Sequence, residues 1–202
     1  MSTADQSPQE RIILGTIAAI EAEGIQNVTT RSIAKQAGVN SAAINYYFRS
    51  KDLLIAQVLE FTLDNAFGDL DEFIPAGPLI DTAPLKAYYR HMLWGMREYP
   101  RISQAHLYEP MVNRSLSSPA IERLNEFLAT IYEKLTPGCP ANLHERLRLS
   151  LIQLQSALLM SGFAPEAYRP FIGDRLDAQE SLDAYVDQVV DDLIGPYLHA
   201  AR

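Results

Sequence analysis

Apolar residues recur at three- and four-residue intervals along most of the 202-residue chain and nowhere alternate with period two, a pattern that predicts helices and no sheet. Ser7-Pro8-Gln9-Glu10 has the form of a capping box with proline at the first helical position. It opens a helix with Ile13, Ile17 and Ile20 on the inner face; Gly24 closes it, and Ile25 and Val28 pack beneath the turn. Thr29 or Thr30 caps a short second helix whose apolar face is Ile33, Ala34 and Ala37. Gly38 follows where a helix ends in a left-handed residue, the conformation that costs glycine least, and Val39 plugs the turn. Asn40 or Ser41 caps a third helix, in which Ile44 and Phe48 lie four apart on one buried face. Ser50 caps a longer fourth helix, running from 51 to 67 or beyond and striped by Leu54, Val58 and Phe61.

Past this point Pro75-Ala76-Gly77-Pro78 is a loop. Helices are expected over 84–99, over 101–109 with Pro110 ending or kinking the second, and from Ser118-Pro119 to Leu135, before the breaker Pro137-Gly138. Asn142-Leu143-His144-Glu145 resembles a capping box and starts a helix that runs to Ser161, before Gly162. A loop with Pro165 and Pro170 precedes a last helix over 177–194, which stops at Gly195-Pro196. The expected fold class is therefore all-α, with neither an internal repeat nor a low-complexity segment.

The stretch from Thr29 to Leu54 carries the most chemistry. Two short helices meet at a tight turn, and the second places the small residues Ser41-Ala42-Ala43 where it would enter a groove. That is the layout of a helix-turn-helix, a reader of the DNA major groove. The stretch resembles the N-terminal domain of the tetracycline-repressor (TetR) family of bacterial transcription regulators. The residues that carry the resemblance are Thr30, Ile33, Ala34, Ala37-Gly38-Val39, the run Ile44-Asn45-Tyr46-Tyr47-Phe48, and Ser50-Lys51-Asp52-Leu53-Leu54. The aromatic run followed by Ser-Lys is the specific part; Asn45 stands where many members carry a tyrosine. The resemblance covers residues 8 to about 60. It implies a three-helix helix-turn-helix DNA-binding domain over 1–50 and a helical effector-binding and dimerisation domain over 51–202. The fourth helix has no breaker between the two, so it reads as a strut and not a flexible linker.

A formal net charge of −8 changes this picture only through its distribution. From Gln26 to Asp52 the cations Arg31, Lys35, Arg49 and Lys51 face Asp52 alone. Acid is concentrated at Asp64, Asp69, Asp71 and Glu72 and again at Asp174, Asp177, Glu180, Asp183, Asp187, Asp191 and Asp192. Such asymmetry suits a chain that touches DNA with one small face and repels it elsewhere. Cys139 is the only cysteine and reads as a loop residue, so no intrachain disulfide forms. No secretory signal opens the sequence and no apolar run is long enough for a bilayer, which suits a cytoplasmic protein without a membrane partner. His91, His106, His144 and His199 lack paired ligand spacing, so neither a metal nor a cofactor is expected.

On the DNA side, Lys51 in the first turn of the fourth helix is assigned a phosphate, with Tyr46, Tyr47 and Thr30 offering hydroxyls to others. Arg31 is the best candidate for a bidentate pair with guanine. Asn40, Ser41 and Asn45 reach for base edges, and Ala42 and Ala43 for a thymine methyl. A reading helix this poor in long polar side chains draws part of its specificity from DNA shape.

The last two long helices share a 4-3-4 spacing, Leu147, Leu151, Leu154 and Leu158 in one, Leu182, Val186, Val189 and Leu193 in the other. Each stripe suits its own chain's core as well as a four-helix bundle between two chains. The resemblance tips the choice to a homodimer, whose paired modules read a near-palindrome of double-stranded DNA. The middle helices hold an aromatic and methionine population from which Tyr88, Trp94, His106, Tyr108, Glu109, Gln155 and Met160 are candidates for a small-molecule effector site, although such stripes more often form core. By resemblance, the effector releases a repressor. Two readings compete: an all-helical enzyme using Glu109 and His106 as an acid–base pair, and a protein-interaction module with a non-functional DNA motif. No phosphate loop, nucleophile elbow or metal motif accompanies the first.

Overall fold

The computed structural model describes residues 6–112 and 114–199, without the side chains of Glu109 and His199. Eleven α-helices and four short 3-10 turns make up the secondary structure of the described residues, which include no strand. The helices are α1 (Pro8–Glu23), α2 (Thr30–Ala37), α3 (Ser41–Phe48), α4 (Lys51–Gly68), α5 (Leu70–Phe73), α6 (Ala83–Glu98), α7 (Pro100–Val112), α8 (Pro119–Leu135), α9 (His144–Phe163), α10 (Arg169–Ile172) and α11 (Gln179–His199). None is long and apolar enough to cross a membrane. The chain packs as two compact units, one of Met1–Asn65 with Tyr99–Ala120, the other of Ala66–Glu98 with Ile121–Arg202.

In the first unit the Ser7 capping box forms as expected, with the Ser7 hydroxyl on the Glu10 N–H (3.2 Å) and the Glu10 carboxylate on the Ser7 N–H (2.7 Å). The inner face of α1 is not Ile13, Ile17 and Ile20. It is Ile12, Gly15, Thr16, Ala19 and Ile20, with Ile13 and Ile17 half-buried at its margin. Gly15 sets this phase. A Cβ there would stand 2.6 Å from the Ala37 Cβ and backbone nitrogen, so α1 and α2 touch backbone to backbone. Around this contact pack Val28, Ile33, Ala34, Ile44, Phe48, Leu54 and Val58, joined by Ile102 and Ala105 of α7. Glu21 of α1 binds the first turn of α7, its carboxylate accepting from the N–H groups of Arg101 (3.3 Å) and Ile102 (2.7 Å). Leu63 is buried on α4, whereas Phe61, expected in the apolar stripe, is exposed.

His106 belongs to this unit, its Nε2 lying 3.1 Å from the Thr62 hydroxyl. Burial removes solvent from the charged imidazole and lowers its pKa to about 4.

The second unit is built on α6, α8, α9 and α11. The Tyr88 ring stacks on Phe127 at 5.1 Å between centroids, and the Tyr89 hydroxyl donates to the buried Gln155 side chain at 2.7 Å. Leu85, Leu93, Ile131 and Leu135 complete the core with the leucines of α9. The faces of α6 and α11 are joined by ion pairs, Lys86 with Asp191 at 2.6 Å and Arg90 with Asp187. Helix α9 starts at His144 without a side-chain cap from Asn142, and continues to Phe163 through Gly162, which lies against Met96. Helix α11 does not stop at Gly195-Pro196 but runs three residues on. Burial of Ile194, Tyr197 and Leu198, and a 2.8 Å hydrogen bond between Tyr197 and Ser150, offset the bond that Pro196 removes.

Two measurements follow from the first unit. Gly15→Ala gains about 1 kcal/mol of helix propensity, yet it forces apart two backbones, so a net loss of about 1–3 kcal/mol is expected in thermal or urea unfolding; an unchanged or raised stability contradicts the contact. His106 takes up a proton near pH 6.5 when unfolded but only near pH 4 when folded. The stability it contributes at neutral pH is therefore lost as pH falls through that window. His106→Asn should flatten the thermal midpoint between about pH 6.5 and pH 4, and a profile of unchanged slope contradicts it.

Candidate nucleic-acid interface

Four local devices shape the segment from Val28 to Asp52. Thr29, and not Thr30, caps α2, its hydroxyl accepting from the Ser32 N–H while Ser32 accepts in return from the Thr29 N–H, both at 3.0 Å. Gly38 takes the left-handed conformation at φ 64°, and the Val39 N–H closes on the Ala34 carbonyl at 3.0 Å. Asn40, and not Ser41, caps α3 through the Ala42 N–H at 3.0 Å. Ser50 accepts from the Leu53 N–H at 3.2 Å and starts α4.

Ile44 and Phe48 point inward, so the opposite face of α3 is turned to solvent. Ser41, Ala42, Asn45, Tyr46 and Tyr47 lie on it, with Asn40 exposed at its start and Ala43 half-buried at its edge. Tyr46 is 81% exposed and meets the edge of Tyr47 with ring centroids 5.0 Å apart. On α2, Arg31 is exposed and Thr30 half-buried. The small residues leave the helix backbone open to close approach, and the tyrosines frame it with hydroxyls.

The cations divide into two kinds. Arg31, Lys35 and Arg49 are exposed and make no side-chain hydrogen bond or ion pair among the described residues. Lys51 donates to the Val28 carbonyl at 3.0 Å, which ties the first turn of α4 to the segment before α2 and leaves two of its three N–H groups for another acceptor. Arg49 and Lys35 were counted in the charge of this stretch but not among the residues expected at the site. Neither makes an ion pair with an acidic residue among the described residues, which sequence order alone does not reveal.

The residues expected around an effector are divided between the two units. His106 and Tyr108 belong to the first unit and Tyr88, Trp94, Gln155 and Met160 to the second; the Glu109 side chain lies outside the described residues. Tyr108 borders a cavity of about 240 Å³ with Ile25, Asn27, Arg101 and Ala105. A cavity of about 450 Å³ in the second unit, between Thr82, Asp191, Pro196 and Leu198, holds none of the expected residues. Trp94 and Met160 are exposed. Tyr88 is fully buried, and its hydroxyl has no hydrogen-bond partner among the described residues. Burial, and more weakly Asp69, hold that phenol far above its ordinary pKa.

The dimer residues need a larger correction. Leu147, Leu151, Leu154, Leu158, Leu182 and Val186 are buried in the core of their own unit, so they cannot also form the surface that meets a partner. Val189 and Leu193 are half-buried. A 4-3-4 spacing states which residues share a helix face but not what covers that face.

Residues 12–58 match the family model described as bacterial regulatory proteins, tetR family. The chain is 28% identical over 141 residues to the HTH-type transcriptional repressor KstR2 of Rhodococcus jostii (strain RHA1), an alignment covering 67% of this chain and 65% of that protein's length. Among solved structures, a TetR-like transcriptional regulator from Rhodococcus sp. RHA1 superposes with a TM-score of 0.67 at 12% identity, over 93% of this chain and 96% of that one. A TetR family transcription regulator from Marinobacter aquaeolei VT8 gives 0.66 at 16% identity, over 95% and 97%. The fold is thus shared over nearly the whole length, and the sequence signature lies where the helix-turn-helix was read. Through that segment the chain is similar to the tetR family of bacterial regulatory proteins, and beyond it the solved structures share its fold.

Proposed function

We propose that this chain is a sequence-specific DNA-binding repressor of transcription that acts as a homodimer on a near-palindromic operator and is released by a small molecule. One observation carries the reading. In a chain of net charge −8, the exposed face of α3 is made mostly of small and hydroxyl-bearing residues, and three exposed cations of α2 and the α3–α4 junction make no ion pair among the described residues. Acidic surface elsewhere repels DNA, so this face is the one DNA approaches. The small residues let α3 sit deep in the major groove. Tyr46, Tyr47, Thr30 and Lys51 fix register on phosphates, while Arg31, Asn40, Ser41 and Asn45 meet base edges with Ala42 and Ala43 at methyl groups.

For the dimer, α9 and α11 keep a second stripe facing outward. Leu149 and Ile152 are 55% and 54% exposed, and Met160, Val189 and Leu193 continue the apolar surface. This stripe, which keeps Val189 and Leu193 of the expected residues and lies on another face of α9 from the leucines expected there, is the proposed seam. For the effector, the partnerless Tyr88 hydroxyl marks the core of the second unit as a place where a ligand acceptor would satisfy a buried group. Such a ligand releases DNA only by binding one spacing of the two modules better than the other.

The proposal is tested by fluorescence anisotropy on the DNA flanking this chain's own gene and on a scrambled duplex, across a salt series. Preference for the native region with affinity falling steeply in salt supports it; no binding to any duplex at low salt, with the chain folded, overturns it. Arg31→Ala should relax preference at one operator position by about 1–3 kcal/mol, whereas Lys51→Ala weakens all sequences alike. Equal losses across sequences for Arg31→Ala remove its base contact. Ile152→Asp should weaken the dimer by about 30-fold in sedimentation, about 2 kcal/mol, and unchanged association places the seam elsewhere.

A further inference from the structure

Arg49 stands between α3 and α4 in a conformation that its side chain disfavours. Its φ is 66° and its ψ −42°, and it is one of two described non-glycine residues with positive φ. The Ser50 N–H donates to the Phe48 carbonyl at 2.8 Å, two residues back, which makes Arg49 the central residue of a γ-turn of the rare, strained hand. Its own N–H still reaches the Asn45 carbonyl at 3.1 Å, so the turn is locked to the last turn of α3. Glycine would hold this geometry at lower cost. The arginine side chain does nothing for the fold in return, being exposed with no hydrogen bond or ion pair among the described residues.

We infer that Arg49 is a contact to the DNA phosphate backbone, a role that rests on the DNA-binding reading above. Helix rise argues for phosphate and against a base. From Ser41 to Arg49 the chain climbs about 12 Å at 1.5 Å per residue, close to the roughly 12 Å width of the major groove. With the start of α3 at base edges, its end stands at the groove wall. The γ-turn places the guanidinium there, beyond the buried Phe48. Lys51, two residues on, spends one N–H on Val28, so Arg49 is the cation at this end of α3 that the fold does not engage. The strain is then a feature of the binding face that folding does not require.

Three variants separate charge from backbone. The probe is a labelled duplex that the wild-type chain selects from random DNA, compared with a scrambled duplex of equal length. Arg49→Gly and Arg49→Gln should each lose about tenfold in affinity for both duplexes near 0.1 M salt, with the log–log salt slope falling by about 0.9. Arg49→Lys should keep most of the affinity and the wild-type slope. Stability should follow the backbone instead: Arg49→Gly raises the thermal midpoint by about 2–4 °C, and Gln and Lys leave it unchanged. Wild-type affinity and slope in both Gly and Gln variants overturn the contact, as does a loss confined to the selected duplex, which would mark a base contact. If the folded wild-type chain selects no DNA, the DNA-binding reading itself fails and the Arg49 contact falls with it.

Discussion

The close approach of α1 to α2 at Gly15 and Ala37 is the constraint on which the first unit depends. Two helices meet at contact distance between backbones only where neither side chain intervenes, and any Cβ at Gly15 would stand within 2.7 Å of three Ala37 atoms. That contact fixes the rotation of α1, which then buries Ile12, Thr16 and Ala19. It also presses α2 into place, so that the left-handed Gly38 can aim α3 outward with Ile44 and Phe48 as its buried anchors in the core and Ala43 packed at their edge. An eight-residue helix is too short to hold itself in water. Its caps and these apolar anchors hold it, and its exposed residues Ser41, Ala42, Asn45, Tyr46 and Tyr47 are left to serve a partner.

Charge is arranged on the same plan. In the second unit the basic residues of α6 are engaged: Lys86 by Asp191, Arg90 by Asp187, and Arg97 by the Asp177 carbonyl. In the helix-turn-helix, Arg31, Lys35 and Arg49 have no such partners among the described residues. A cation left unpaired on an otherwise acidic protein keeps its full attraction for a polyanion, and counterion release on contact turns it into salt-dependent affinity. Net charge alone would have argued against DNA; the local pairing argues for it.

Local signals were the most legible part of the sequence. The Ser7 box, the Gly38 stop and the inward pair Ile44 and Phe48 all depend on residues within four positions of one another, and the structure keeps each of them. Signals that depend on a distant surface were not legible. The isoleucine period in α1 was visible, but its phase was set by Ala37, twenty-two residues away. The leucine stripe of α9 has one spacing whether its own chain or another covers it, and its own chain does. The aromatic run of α6 is largely core, Tyr88 and Tyr89 being fully buried. Pro196 marked a helix end that buried Tyr197 and Leu198 override.

The central claim is that the α2–α3 segment and the start of α4 form the DNA face. Amide hydrogen exchange, followed by mass spectrometry with and without a saturating duplex, tests it most directly because it requires no substitution. The account predicts that protection on binding is greatest across residues 29–52, including the turn at Gly38 and the junction at Arg49. Protection centred instead on α6 to α11, with 29–52 unchanged while the duplex is bound, would contradict it.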